Sequence, residues 1–350
     1  MSRATFAFAP GLRARFSGEA AGVRHALLEY GPCAVPDDEE DVGLEVVFGH
    51  LGGPSDPRWS VAHSSGRPGD HEPARGGHKT VSWAIRLGDP AGPVLQAEIA
   101  VSGWPRSFAR SLVQGYVVEP LLSLAAARHG HVLLSSAGIV GDEGLLVIVG
   151  RSRAGKSTLA ALAMARGRRV LGDDQLIVDG EGRWRPFPRR LRVYPDLTRA
   201  APTAWTRLGG STRRTLRLRA AVAILSRGFI RPSLAVDPAE LGGTWRPEPV
   251  RAARIVLVER RPDVDAVRSV AAGVEQAVAW SREVIASQRE RLAGLGGPGW
   301  RSSLEAAAEV ETALLRRAFA GLAVESIAVP AGWPAPAAIA ALARELRLEG

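Results

Sequence analysis

The chain has 350 residues, 46% of them hydrophobic, and a formal net charge of +9 at pH 7. A chain of this length can bury two hydrophobic cores of ordinary size, so we expect two domains. Its single cysteine, Cys33, excludes an intramolecular disulfide and argues against a thiolate metal cluster within the chain.

The positive charge is almost wholly arginine and is spread along the chain. Only Lys79 and Lys156 are lysines among the 45 lysine and arginine residues, and asparagine is absent. This usage is typical of a GC-rich genome, so we do not expect nucleic acid as a partner. Without asparagine, the N-K-x-D element that reads guanine cannot be formed, which disfavours a GTPase.

No segment has the pattern of an export signal or a membrane span. The first residues lack the apolar core of a signal peptide, and no stretch approaches the roughly 20 apolar residues that a span requires. We therefore expect a cytoplasmic protein with no membrane partner, and leave open whether it forms a homo-oligomer.

Residues 1–103 are predicted to form an α+β accessory domain. The pattern predicts a helix over 20–30 and strands over 5–9, 44–48, 81–87 and 94–101. Glycine, proline, serine and histidine are concentrated between 52 and 77, which predicts a long mobile loop. His63, His71 and His78 show no metal-ligand spacing, so we interpret them as surface residues.

Residues 104–127 are predicted to form a helix that connects this domain to a second one over 128–350. Gly115 and Pro120 predict a kink or break within that helix. A strand over 132–140 and a turn over 141–144 then predict a hairpin with the apolar strand 145–149. That strand leads into a loop that matches G-x-x-x-x-G-K-[ST] and comprises Gly150, Arg151, Ser152, Arg153, Ala154, Gly155, Lys156, Ser157 and the following Thr158.

The residue types of this loop suit a nucleoside triphosphate. Glycine at 150 and 155 lets backbone N–H groups approach the phosphates closely. The segment 157–166 predicts a helix whose first turn directs free N–H groups and a positive dipole end at the same phosphates. Lys156 would place its charge between the β- and γ-phosphates, and Ser157 would offer a hydroxyl to Mg²⁺. The alternative, a glycine-rich turn of an ordinary α/β protein, accounts less well for the strand before the loop and the helix after it.

Two adjacent carboxylates follow the predicted helix. Asp173 and Asp174 interrupt an apolar segment, 168–178, that we interpret as a strand. Buried carboxylates need partners, and the strand after the first helix of a phosphate-loop fold usually lies near the loop. One acid would then reach Mg²⁺ and the other would handle a proton. The alternative is a solvated pair of aspartates in a turn.

Residues 135–150, the loop through Thr158, and residues 166–174 resemble the catalytic domain of the HPr serine kinase/phosphorylase family. That family shares its fold with phosphoenolpyruvate carboxykinase, so the resemblance implies an α/β phosphate-loop kinase domain of that type with a mixed sheet. It also implies ATP- and Mg²⁺-dependent phosphorylation of a hydroxyl group. The family's loop lysine and metal-binding hydroxyl match Lys156 and Ser157, and the acid that takes the acceptor's proton matches Asp174.

The chain departs from that family at two points. Ser135 stands where the family has a catalytic histidine, and the family's arginine-bearing C-terminal loop is not recognisable. These departures argue against the reverse phosphorylase activity and against HPr as the substrate, and they indicate a divergent relative.

The leading hypothesis is an ATP-dependent kinase in which the loop backbone and Lys156 hold the β- and γ-phosphates. Ser157 and Asp173 would hold Mg²⁺ directly or through water, and Asp174 would accept the proton of a hydroxyl, with serine as the favoured acceptor. The acceptor would belong to a protein, a peptide or a small molecule. Two alternatives stay open: an ATP-binding regulatory or scaffold module without transfer, and a small-molecule kinase or carboxykinase-like enzyme.

The remainder of the chain carries weaker signals. Arg189, Arg190 and Arg192 could clamp the transferred phosphoryl group or receive an acidic partner, but solvent-exposed arginines explain them equally well. The segment 206–215 is predicted to be a mobile loop near the acceptor. Strands are predicted over 254–259 and 326–329, and helices over 272–293, 302–320 and 335–346.

Overall fold

The computed structural model describes residues 2–37, 41–49, 73–227 and 233–348. The protein is a mixed α/β structure whose sheets contain both parallel and antiparallel pairs. Its contacts divide the chain into two compact units, Met1–Leu133 with Ile285–Ala313, and Leu134–Val284 with Leu314–Gly350. The predicted ranges 1–103, 104–127 and 128–350 differ from this division, because the connecting helix and 285–313 both belong to the first unit.

The first unit contains a seven-stranded sheet in the order β3-β1-β2-β4-β7-β6-β5. Its strands are β1 (Ser2–Ala9), β2 (Leu12–Gly18), β3 (Ala34–Val35), β4 (Leu44–Gly49), β5 (Ala74–His78), β6 (Val81–Leu87) and β7 (Leu95–Gly103). β4 runs parallel to β2 and β7, and the other neighbours are antiparallel. The helix α1 (Ala20–Tyr30) has the predicted bounds, and all four predicted strands are present.

The sequence interpretation missed β2, β3 and β5 in this unit. β2 alternates buried Leu12, Ala14 and Phe16 with arginines. Its apolar face is therefore short and gives only a weak sequence signal for a strand. The predicted loop over 52–77 lies outside the described residues as far as 72, and it is wrong at its end, since 74–77 pair with β6. His78 ends β5, whereas His63 and His71 lie outside the described residues.

A continuous helical segment follows β7. It consists of α2 (Arg106–Val113), a π turn (Gln114–Val118) and α3 (Glu119–Arg128). Pro120 directly follows the π turn within this helical segment, where its missing N–H removes one backbone hydrogen bond. The predicted irregularity near Gly115 and Pro120 is therefore a widened turn, and the helical segment continues through it.

The second unit is built on a mixed sheet with the path β11-β9-β10-β16-β13-β12, and β18 and β17 extend from β16. Parallel pairing joins β10 to β16 and β16 to β18. The strands are β9 (Ser136–Gly141), β10 (Gly144–Gly150), β11 (Val170–Gly172), β12 (Leu176–Asp179), β13 (Arg183–Pro186), β16 (Val250–Arg261), β17 (Arg268–Ala272) and β18 (Ala323–Pro330). A separate pair comprises β14 (Leu191–Val193) and β15 (Leu234–Val236).

The predicted hairpin between β9 and β10 is confirmed by their antiparallel register. The predicted single strand over 132–140 is wrong, because the chain forms β8 (His131–Leu134) and then β9, with Ser135 between them. The predicted strands over 254–259 and 326–329 are confirmed as the inner parts of β16 and β18.

The helices of the second unit include α4 (Lys156–Ala165), α5 (Leu197–Ala200), α6 (Pro202–Arg207), α7 (Gly210–Leu225) and α9 (Ala335–Glu345). The segment labelled α8 (Val274–Phe319) consists of two helical parts that meet at Gly297, whose φ of 71° and ψ of −165° are not helical. The first two predicted C-terminal helices lie on either side of this break. The mobile loop predicted over 206–215 is wrong, because this segment ends α6 and begins α7. Leu216 is the one buried residue of α7, so the sequence there shows no apolar helical period. Among the helices that the structure describes, none combines the length and apolar character that a membrane crossing requires.

The helix α4 lies in the core of the second unit. Every residue from Leu159 to Ala165 is buried, and the helix packs against β9, β10, β14, α6 and α9. A helix that is apolar on all sides needs surrounding elements on all sides. The N-terminus of α4, and with it the end of the glycine-rich loop, is therefore held rigidly.

Trp184 offers a direct test of this core. Its fully buried ring stacks on Phe319, with ring centroids 6.2 Å apart and planes 7° apart. We expect Trp184→Ala to lower the free energy of unfolding by about 3–5 kcal/mol, because the ring leaves a cavity. Urea unfolding followed by circular dichroism measures the loss. Trp245, in the same unit but 36% exposed, is the matched control, and Trp245→Ala should cost about 1 kcal/mol or less. Equal losses would contradict the described packing.

Candidate nucleotide-binding site

The loop between β10 and α4 requires glycine at both of its ends. A Cβ at position 150 would lie 2.8 Å from the Val258 carbonyl oxygen and 2.9 Å from the Ala154 Cβ, because the loop leaves the sheet against β16. Gly155 has a φ of 101°, a conformation that side chains disfavour. The α4 N-cap is this glycine, which has no side chain that could cap the N–H groups of the first turn.

The residues of the loop divide by exposure. Arg151, Ser152 and Arg153 are exposed, whereas Ala154 and Lys156 are buried. Ser157 and Thr158 are half-buried in the first turn of α4. An exposed loop that leads into a helix N-terminus is a typical place for an anion site, and this is where the sequence predicts the phosphates.

Lys156 folds back over the loop. Its Nζ donates hydrogen bonds to the carbonyl oxygens of Gly150 at 2.6 Å and of Arg151 at 3.3 Å. The same Nζ lies 3.7 Å from Oδ1 of Asp174. The structure thus brings the loop lysine and the second aspartate together, although 17 residues separate them along the chain.

The aspartate pair lies in a turn, which corrects the predicted strand over 168–178. β11 ends at Gly172 and pairs with β9, whereas β12 begins at Leu176 and pairs with β13. Because β11 and β12 occupy different places in the sheet, the chain bends between them, at Asp173 and Asp174. The alternative, a solvated pair of aspartates in a turn, is right about the turn and wrong about the solvation, because Asp173 is buried and the Asp174 side chain is 33% exposed.

Asp173 faces the first turn of α4. The Ser157 hydroxyl is close enough to favour the ionised form of Asp173, and the buried Oδ2 of Asp173 has no hydrogen-bond partner among the described residues. Burial, and secondly the negative charge of Asp174, raise the pKa of Asp173 to about 7. A buried carboxylate oxygen that needs a partner, beside a serine hydroxyl, is a hard-oxygen pair of the kind that Mg²⁺ binds. These residues fit the predicted metal, with phosphate oxygens and water as the remaining ligands.

Asp174 lies between two cations. Arg189 Nη1 donates to its Oδ2 at 2.9 Å, on the opposite side from Lys156. Burial by itself would raise the pKa of Asp174, but the charges of Lys156, Arg189 and Arg192 lower it below its usual range. Asp174 is therefore ionised at neutral pH and able to accept a proton.

The arginines after β13, left open by the sequence, have different environments. Arg189 is largely buried and pairs with Asp174, so it is not a solvent-exposed residue. Arg190 donates to the Ala235 carbonyl oxygen at 2.8 Å. Arg192 in β14 adds its charge to the surroundings of Asp174.

Sequence reasoning missed the neighbours of Arg151 and the contribution of α7. The Arg151 guanidinium pairs with Glu283 at 2.9 Å and lies 5.1 Å from the centre of the Trp280 ring. Arg219 in α7 is close enough to Arg192 for their charges to interact. No sequence signal indicates either arrangement, because each partner comes from a distant helix.

The described part of the chain contains no group of three or more His, Cys, Asp or Glu residues that could hold a metal ion. A cation at Ser157 and Asp173 would therefore depend on a bound nucleotide for further ligands. The sequence matches no known protein family, and no characterised protein is significantly similar to it.

The buried position of Asp173 predicts a stability that falls as pH rises. Its native pKa of about 7 lies above the ordinary value of 3.8, so between these pH values the native state binds more protons than the unfolded chain. In metal-free protein, Asp173→Asn removes the free-energy cost of ionising this buried carboxyl, because the asparagine side chain carries no charge. We expect the variant to gain stability over the wild type at about pH 8, and the gain to shrink toward about pH 4. Urea unfolding at both pH values measures it.

Asp179 provides a control in which the pKa shift has the opposite sign. Burial would raise its pKa, but hydrogen bonds from Arg183 and from the Glu181 backbone lower it below the usual range. Asp179→Asn should therefore lose stability at neutral pH and approach the wild type as pH falls through the native pKa. If the two variants shift in the same direction with pH, the surroundings described for Asp173 are wrong.

Proposed function

We propose that this chain is an ATP- and Mg²⁺-dependent phosphotransferase of the HPr-kinase-like type, with a phosphate-loop kinase fold like that of phosphoenolpyruvate carboxykinase. The observation that carries the proposal is the convergence of Lys156, Asp174 and Arg189 at the mouth of the glycine-rich loop. The buried Asp173 and the half-buried Ser157 beside it support the same interpretation.

The roles follow from the contacts. The loop N–H groups and Lys156 bind the β- and γ-phosphates, and Lys156 exchanges its carbonyl partners for phosphate oxygens. Ser157 and Asp173 would hold Mg²⁺, which neutralises phosphate charge when bound. Arg189 orients Asp174 and adds positive charge where the phosphoryl group passes.

In the transfer, the acceptor oxygen forms a bond to the γ-phosphorus while the bond from that phosphorus to the bridging oxygen breaks, and ADP leaves. The acceptor's hydroxyl proton passes to a carboxylate oxygen of Asp174. The lowered pKa of Asp174 keeps this group ionised before the transfer. Once Asp174 has taken the proton, the negative charge of the phosphoryl group replaces the charge of the Asp174 carboxylate between Lys156 and Arg189.

One observation favours a second candidate, an ATP-binding regulatory module without transfer. Two cations hold Asp174 and lower its pKa, which weakens it as a base. Ser135, in place of the family's histidine, lies buried between β8 and β9 and offers no replacement base.

The test is to incubate the purified protein with Mg·[γ-³²P]ATP and a cell lysate. Label on a protein or peptide supports the kinase, and label on a metabolite supports the small-molecule or carboxykinase-like alternative. Nucleotide binding without label on any acceptor supports the regulatory module. Failure of the protein to bind Mg·ATP in calorimetry would overturn all three.

The base assignment has its own prediction. Asp174→Asn should lower the rate of label transfer by about 10²- to 10⁴-fold, because the acceptor's proton loses its positioned acceptor. ATP affinity should be retained, since Lys156 and Arg189 remain. Initial rates with the labelled acceptor and calorimetry with ATP separate the two effects. The control is Asp196→Asn, an exposed carboxyl before α5 in the same unit, which should transfer at the wild-type rate. Native transfer by Asp174→Asn would show that another group is the base.

A further inference from the structure

The helix α7 carries an apolar surface that the described chain does not cover. Leu218, Val222 and Leu225 are 65%, 43% and 84% exposed. Their spacing of i, i+4 and i+7 places them on one face of the helix, opposite the buried Leu216. We call these three residues the α7 stripe. Contiguous exposed leucine and valine on one helix face is typical of an interaction site.

The charged residues of α7 itself all have one sign. The helix contains Arg213, Arg214, Arg217 and Arg219 and no acidic residue. Arg214 precedes Leu218 by one turn and so extends the face of the stripe toward the helix N-terminus. Arg217 lies over the Trp205 ring, with its Cζ 5.8 Å from the ring centre. A complementary partner therefore combines apolar side chains with negative charge.

The helix is fixed to the second unit, close to the candidate site. Glu240 Oε2 accepts hydrogen bonds from the Thr212 hydroxyl at 2.8 Å and from the Gly209 N–H at 3.3 Å. Arg219, one residue after the first member of the stripe, interacts electrostatically with Arg192, and Arg192 interacts with Asp174. The stripe thus lies on a helix whose Arg219 interacts with Arg192, one of the charges that act on the proposed base.

We propose that the α7 stripe is a docking surface for a polypeptide segment in which apolar side chains alternate with aspartate or glutamate. A second copy of the chain fits less well, because two copies of α7 facing each other would bring arginine against arginine. A membrane surface fits less well because the stripe lacks the aromatic residues common in interfacial helices. That the docked segment belongs to the phosphoryl acceptor rests on the proposed function.

The test uses synthetic serine-containing peptide pools of three compositions: acidic with apolar residues, basic with apolar residues, and acidic without apolar residues. Binding is measured by fluorescence anisotropy without nucleotide. We expect the wild type to bind only the first pool. The double variant Leu218→Ser/Leu225→Ser should weaken this binding at least about tenfold, because two apolar contacts are lost.

The matched control is Ile224→Ser. Ile224 is 77% exposed on the same helix but lies outside the stripe, so this variant should bind the pool as the wild type does. All three side chains are exposed, and unchanged melting curves confirm that the variants fold. Equal binding by the double variant, or no binding of the first pool by the wild type, would overturn the proposal. Stripe-dependent binding to phosphatidylcholine/phosphatidylserine vesicles without peptide binding would overturn it in favour of a membrane surface.

A second step separates docking from catalysis. Mg·[γ-³²P]ATP is added to the protein with the first pool. Transfer to serine with a KM that rises in the double variant, at unchanged kcat, supports docking of the acceptor. Binding without any transfer leaves the docking surface supported and counts against the acceptor role. Transfer whose KM is the same in the wild type and the double variant overturns the acceptor role of the docked segment, while the phosphotransferase stands and the binding measurements decide the docking surface.

Discussion

The buried ammonium of Lys156 is the constraint around which the second unit is arranged. A buried charge needs partners at close range, and here two loop carbonyls and Asp174 supply them. Asp174 in turn is shared with Arg189. The loop, the turn between β11 and β12, and the segment after β13 are therefore held by one set of charge interactions.

A comparison with the first unit shows why this arrangement is suited to a ligand. There, the buried Arg289 donates to Glu311 at 3.0 Å and to the Ser123 hydroxyl at 2.6 Å. Its Nε has no hydrogen-bond partner in the described chain, but the buried carboxylate of Glu311 balances its charge within the protein. In the second unit, Asp173 Oδ2 has no hydrogen-bond partner in the described chain, and Asp174 is partly exposed between two cations. Incompletely satisfied charges beside an uncapped helix N-terminus are characteristic of functional sites.

The packing of α4 and the chemistry of the loop are linked. The alanine-rich helix lies within the core, so its first turn cannot move independently of the sheet. β16 pairs in parallel with β10, and the carbonyl group of its Val258 lies so close to Gly150 that a side chain at position 150 would clash with it. The backbone that would bind phosphates is thereby pre-organised, which reduces the entropy lost on binding. The helix α7 differs from α4, because a hydrogen bond fixes its N-terminus while the face that carries the α7 stripe is exposed.

The sequence alone was sufficient to predict the local elements around the loop. The hairpin of β9 and β10, the loop and α4 follow from short-range patterns of apolar residues and glycine, and these patterns act within a few residues of each other. Tertiary structure decided the rest. Asp173 and Asp174 lie in a turn because β11 and β12 pair with different strands. Arg189 meets Asp174, and α7 approaches Arg192, through contacts between segments far apart in sequence. Such contacts depend on strand order and helix packing, and an isolated arginine in an arginine-rich chain gives no local sign of its partner.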